Sequence, residues 1–274
     1  MDRFRLKNIM IFILLLLNGF LLFSLAQRRE AQRDAFRRTA EQLVSLFEED
    51  GMALDVDAIS RDDPPPGVAL ARDTALEERA ASFLLGEALA ASDQGGGIYH
   101  YAGPAGEALF RTGGVFEASG TLAGEDVEDF CRDFCRTFSY DAPERMEGDG
   151  VFTAPAVFNR LPVFNCSVSF TVEGGVLTAV AGTLLPEGGT ASPPEEEPLS
   201  AAGALVAFQR MRRESGVVAS TVADTRLCYE LQTAGAAMSL APVWRIVTDT
   251  EDYYVNCRTG AVTAGGARAG DGTA

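Results

Sequence analysis

Residues Ile9 to Ala26 read IMIFILLLLNGFLLFSLA, eighteen positions without a charge and with only Asn18, Gly19 and Ser24 to interrupt the hydrocarbon. At about 1.5 Å per residue a helix of this length reaches roughly 27 Å, near the thickness of a bilayer's hydrocarbon. The stretch predicts a single N-terminal transmembrane helix. The competing reading is a cleaved signal peptide, with Arg3, Arg5 and Lys7 as a basic start and Ser24-Leu25-Ala26 as a small-x-small site. The apolar run exceeds the roughly 7–15 residues of a signal core, which favours an uncleaved anchor.

Outward from this run, the flanks are both basic, with Arg28, Arg29, Arg33, Arg37 and Arg38 following it. A plain count of Lys and Arg therefore does not orient the helix. The first 38 residues hold 8 basic and 3 acidic side chains, which leaves 15 basic and 36 acidic in the remaining 236. An acidic body after a signal anchor fits a cell-membrane protein with its N-terminus cytoplasmic and its C-terminal body extracytoplasmic. That charge also argues against nucleic acid as a partner through a basic face.

Past the apolar run the helical pattern continues. Phe36, Ala40, Leu43, Val44 and Phe47 form one stripe, and Asp50-Gly51 ends it. Phe36, Leu43 and Phe47 are the candidate partner-facing residues of this stalk. The plainer reading has them packing on the chain's own body. A second helix is capped by Asp73 or Thr74, and a third runs from Glu125 to Phe138 with Val127, Phe130, Cys131, Phe134, Cys135 and Phe138 on one face. In Val163 to Glu173 the residues Phe164, Cys166, Val168, Phe170 and Val172 alternate with polar ones, the mark of a half-buried strand. Gly174-Gly175 then turns the chain into a partner strand.

The stretch PEGGTASPPEEEP, 186–198, is a linker by composition. After it Ser200 caps a helix to Ser215, followed by strands at Val217–Val222, Leu227–Leu231, Pro242–Thr248 and Tyr253–Cys257. A helix followed by several strands thus occurs twice, with starts at 125 and 201. The spacing suggests a duplication in which each copy is an antiparallel sheet carrying a helix. The fold expected is α+β. Its parts are a tail (1–8), a transmembrane helix (9–26), a juxtamembrane helix (27–50), an α+β region (51–185), the linker (186–198), a C-terminal α+β module (199–264) and a flexible tail (265–274).

Two stretches carry a family resemblance. The basic tail with ILLLLNGFLL is one. The other is Leu240-Ala241-Pro242-Val243-Trp244-Arg245-Ile246 with Tyr253-Tyr254-Val255-Asn256 and Thr259-Gly260-Ala261-Val262. The chain resembles the YycH/YycI family, closest to YycI, accessory proteins of the WalK/WalR (YycG/YycF) cell-wall two-component system. Its ending is similar to a PepSY-type module. The resemblance implies one membrane helix, an extracytoplasmic α+β body, and partners in the membrane helices of a sensor histidine kinase and a YycH-like companion. The function it implies is regulation of that kinase. The alternative is an anchored binding module for a peptide, a protease or a cell-wall component.

Catalytic, cofactor and metal sites are not expected. His100 is the only histidine, and Cys131 and Cys135 share the inward face of a helix with no further ligands at zinc spacing. The five cysteines are too few and scattered for a disulfide scaffold. The site residues expected are instead contact residues. Asn18 and Gly19 are expected to meet another helix in the membrane, because an amide in lipid lacks partners. Trp244 is a candidate for a binding surface, since tryptophan is enriched at interfaces, against the commoner role of strand core.

Overall fold

The computed structural model describes residues 2–124, 126–143, 146, 148–192 and 197–267. Helix α1 (Asp2–Glu49) leads into β1 (Ala53–Leu54) and β2 (Gly67–Leu70), then α2 (Thr74–Leu85). Strands β3 (Ala90–Asp93), β4 (Tyr99–Gly103), β5 (Gly106–Phe110) and β6 (Val115–Ala123) precede α3 (Val127–Thr137). Next come β7 (Gly150–Phe158), β8 (Leu161–Glu173), β9 (Val176–Thr183) and β10 (Thr190–Ser192). The chain closes with α4 (Ala201–Ser215), β11 (Thr221–Ala234), β12 (Ala237–Thr248), β13 (Glu251–Asn256) and β14 (Val262–Ala267).

All fourteen strands join one hydrogen-bonded sheet. This corrects the expected α+β plan of separate antiparallel sheets each packed with a helix, and with it the self-contained PepSY-like repeat. The physical reason is strand length. β11 and β12 run for 14 and 12 residues, long enough to bury residues in both cores. β12 pairs with β2 through Met238–Leu240 and with β13 through Val243–Val247. β11 runs parallel to β8 at Tyr229–Val163, so the sheet is mixed. The turn expected between Val222 and Leu227 is only a bulge at Val222/Asp224, which leaves β11 continuous. From the stretch expected as a linker, β10 adds to the edge of β2. Residues 193–196, including the linker charges Glu195 and Glu196, lie outside the described residues, as do Glu125 and 268–274 of the expected flexible tail.

Two apolar cores flank the long strands. In the first, Phe134 of α3 stands among the rings of Phe83, Phe116, Phe138, Tyr140 and Phe170, with centroids 4.7–6.1 Å away. In the second, the end of α1 and α4 cover Trp244, Ile246, Tyr253 and Val255. One face of β12 feeds both. Met238 and Leu240 enter the first core, while Trp244 and Ile246 enter the second. Helix ends follow local chemistry. Asp73 accepts hydrogen bonds from the Ala75 and Leu76 amides, Ser200 from Gly203, and Gly216 closes α4 at φ +71°.

α1 is a single helix of 48 residues. Among the described residues no helix is long and apolar enough to cross a membrane. The transmembrane helix over 9–26, and the single-pass topology with an extracytoplasmic body that followed from it, are corrected accordingly. Among the described residues, the large apolar side chains between Met10 and Phe23 are 53–68% exposed, so the body of this chain supplies them no cover.

β8 carries an irregularity, although Val163 before it and Cys166, Val168, Phe170 and Val172 after it all lie in the first core. Pro155 of β7 faces Ser167, yet Ala156 faces Val163, so Phe164, Asn165 and Cys166 bulge from that ladder. Proline has no N–H to donate, which suits it to such a break on an edge strand. The bulge turns Phe164 away from the expected core face to stack on Tyr254 of β13, with ring centroids 3.7 Å apart. Asn165 takes the place of a ladder residue. Its amide donates to the Leu231 carbonyl and its carbonyl accepts from the Leu231 amide, both at 2.8 Å. Replacing Asn165 with Ala should cost about 1–2 kcal/mol in denaturant unfolding, and Asn165→Asp, which keeps the acceptor alone, should fall between. Wild-type stability in Asn165→Ala would show that the β8–β11 join does not depend on this side chain.

Candidate interaction cleft

Asp50 and Gly51 stop α1 where the body begins. Gly51 takes φ +72°, a left-handed conformation that a side chain disfavours, and the Met52 amide returns to the Phe47 carbonyl at 2.9 Å. The next five residues, Met52-Ala53-Leu54-Asp55-Val56, alternate apolar with polar or small. They lie along the start of β11, where Ala53 opposes Thr221 and Leu54 opposes Val222 in parallel register. The Ala53 amide donates to the Ser220 carbonyl at 2.8 Å. Among the described residues no strand pairs with the outer side of β1.

Beside this short strand lies a cleft of about 700 Å³. Buried Met52, Leu54 and Val222, with half-buried Val44 and Val56, give it apolar walls. Exposed Glu48 and Asp55 stand on its rim, and no Lys or Arg lines it among the described residues.

Three polar anchors hold the cleft in shape. Asp50 accepts from the Arg213 Nε at 2.7 Å and from the Gln209 amide, which ties the end of α1 to the last turns of α4. The Arg213 hydrogen bond holds the Asp50 carboxyl below its ordinary value of 3.8 against the opposing effect of burial. On the other wall Asp249 accepts from the Ser220 amide at 2.9 Å and the Thr221 amide at 3.2 Å. Burial pushes the Asp249 carboxyl up, but those amides and further hydrogen bonds outweigh it and hold it below the ordinary range. Buried Thr225 donates to the Ala58 carbonyl and accepts from the Ser60 amide, both at 2.8 Å, which fastens the segment after β1 onto β11.

The residues singled out from the sequence do not converge. Asn18 and Gly19 lie on the exposed N-terminal half of α1, and nothing comes within 4 Å of a Cβ placed on Gly19. Leu43 and Phe47 are buried in the second core, and Phe36 is half-buried beneath the guanidinium of Arg61, 4.8 Å from its centroid. Trp244 is fully buried and its indole N–H donates to the Leu199 carbonyl at 2.8 Å, so it presents no surface. His100 faces Glu107 across 3.2 Å on the outer side of β4 and β5. Burial pushes all five thiols, Cys131, Cys135, Cys166, Cys228 and Cys257, up to about 12, which leaves them protonated and poor nucleophiles near neutral pH. Among the described residues no group of three or more His, Cys, Asp or Glu is placed to hold a metal.

Sequence reasoning missed the cleft. Its signal was the five-residue alternation from Met52 to Val56, too short to stand out beside the helix before it.

No family model matches the chain, and neither does any curated protein. Among solved structures, one match is the crystal structure of an uncharacterized protein from Eubacterium rectale. It shares 8% identity at a TM-score of 0.44, over 77% of this chain and 89% of that one. A likeness at that level carries no argument, and none of these comparisons bears on the YycI resemblance.

Because folding lowers the carboxyl pKa of Asp50 and Asp249, their contribution to stability is complete above the unfolded value and is lost as pH falls through the folded one. Acid titration followed by the emission of Trp244, the single tryptophan, should therefore show the second core loosening only below the ordinary 3.8. Asp50→Ala should loosen it already at neutral pH. Emission in Asp50→Ala that matches wild type throughout would remove Asp50 as the pin between α1 and α4.

Proposed function

We propose that this chain is a non-catalytic accessory protein that binds an extended segment of a partner polypeptide in the cleft beside β1. The observation that carries the reading is the outer edge of β1, without a strand partner among the described residues and set against an apolar-walled cleft. Extended peptides bind such edges through main-chain hydrogen bonds, with flanking pockets taking alternate side chains. Anchors on three elements pre-organise the walls, which lowers the ordering cost of binding. The resemblance to YycI names the partner class as a sensor histidine kinase of a cell-wall two-component system or a YycH-like companion, and the role as regulation of that kinase. A binding module for a peptide, a protease or a cell-wall component would use the same edge.

Ala223 is exposed and lines the cleft, so an arginine there fills the space without entering a core. A photo-crosslinker at Ala53 should form a product with the sensor kinase or its companion in cells. Ala223→Arg should abolish that product and shift phosphorylation of the cognate response regulator. Unchanged phosphorylation in a folded Ala223→Arg protein, with no crosslink from Ala53, would overturn the reading.

A further inference from the structure

Resting on that reading of the cleft, we infer that its occupant is a basic and apolar strand, an extended segment in which Lys or Arg alternates with aliphatic residues. β1 is only two residues long, so its main chain supplies few hydrogen bonds and side chains must decide what binds. The cleft wall takes aliphatic groups on Val44, Leu54 and Val56. Alternation then places the other side chains of an added strand outward, toward the rim.

The rim is of one sign. Glu48 stands on the helix side and Asp55 on the strand side, and neither has an ion-pair partner within the chain among the described residues. Asp55 accepts from the Asp57 amide at 3.0 Å, which fixes its carboxylate at the mouth of the cleft. The whole chain carries a formal charge of −16. An acidic segment therefore meets repulsion at long range and again at the rim, whereas a basic one is steered inward. Exposed pairs are individually weak, a few-fold each, so discrimination comes from the contrast between attraction on one segment and repulsion on the other.

The probes are two synthetic eight-residue peptides, one alternating valine with lysine and the other valine with glutamate, added to the full chain at about 0.1 M salt. The lysine peptide should bind about ten-fold tighter and shift the amide resonances of Met52 to Val56. Its advantage should shrink at high salt and vanish in Glu48→Lys/Asp55→Asn, a pair that keeps a side-chain acceptor for the Asp57 amide. If both peptides bind at these amides with equal affinity, the site stands as a polypeptide site and the charge inference is overturned. If neither perturbs Met52 to Val56, the polypeptide site itself fails. Lysine-peptide binding that survives Ala223→Arg reflects general attraction to an acidic body and overturns the inference as well.

Discussion

The bulge at Phe164, Asn165 and Cys166 is the point on which the rest of the sheet depends. β8 must pair with β7 along its length, with β9 through its second half and with β11 at Val163. Because side chains alternate strictly along a strand, the bulge changes which set of β8 is buried, from Val163 before it to Cys166, Val168, Phe170 and Val172 after it. Looping three residues out of the β7 ladder makes that change. Asn165 then bonds both backbone groups of Leu231, and Phe164 is released to the ring of Tyr254. The two cores are joined by β11 and β12, each of which buries residues in both.

The cleft inherits its form from that join. β11 is held at one end by β8 and at the other by β1, while β12 lies along its whole length. The start of β11 is therefore a fixed wall, and α1 is fixed opposite through Asp50 and α4. Charged hydrogen bonds set in partly buried surroundings are well suited to this task, because they fix direction as well as distance. The apolar stripe of Ala40, Leu43 and Phe47 adds the burial that keeps α1 against the body. Its outer half extends past the body, with the described large apolar side chains between Met10 and Phe23 uncovered.

Much of the local structure was legible in the sequence. The stripe from Phe36 to Phe47, the cap at Asp73, the Phe134 face of α3 and the Gly174-Gly175 hairpin are set by contacts within a few residues. Periodicity and turn chemistry report these directly. The short strands β1, β2, β3 and β10 escaped because two to four residues carry too little pattern, and their existence depends on a neighbour to pair with. From its neighbours alone Trp244 reads as a binding-surface candidate or, more commonly, as strand core; the depth of the second core makes it core.

By itself, then, the sequence determined the helices, the main strands, the acidic body and the scarcity of reactive side chains, all consequences of composition and short-range spacing. Tertiary structure alone decided that the two α+β halves share one sheet, that Phe164 leaves its expected face, and that Met52 to Val56 become an edge strand beside a cleft. The physical reason is the same in each case. Strand pairing and bulges are settled by hydrogen bonds between residues far apart in the chain, such as Asn165 with Leu231 and Ala53 with Ser220. Such partners leave no periodic trace in the segment that contains either one.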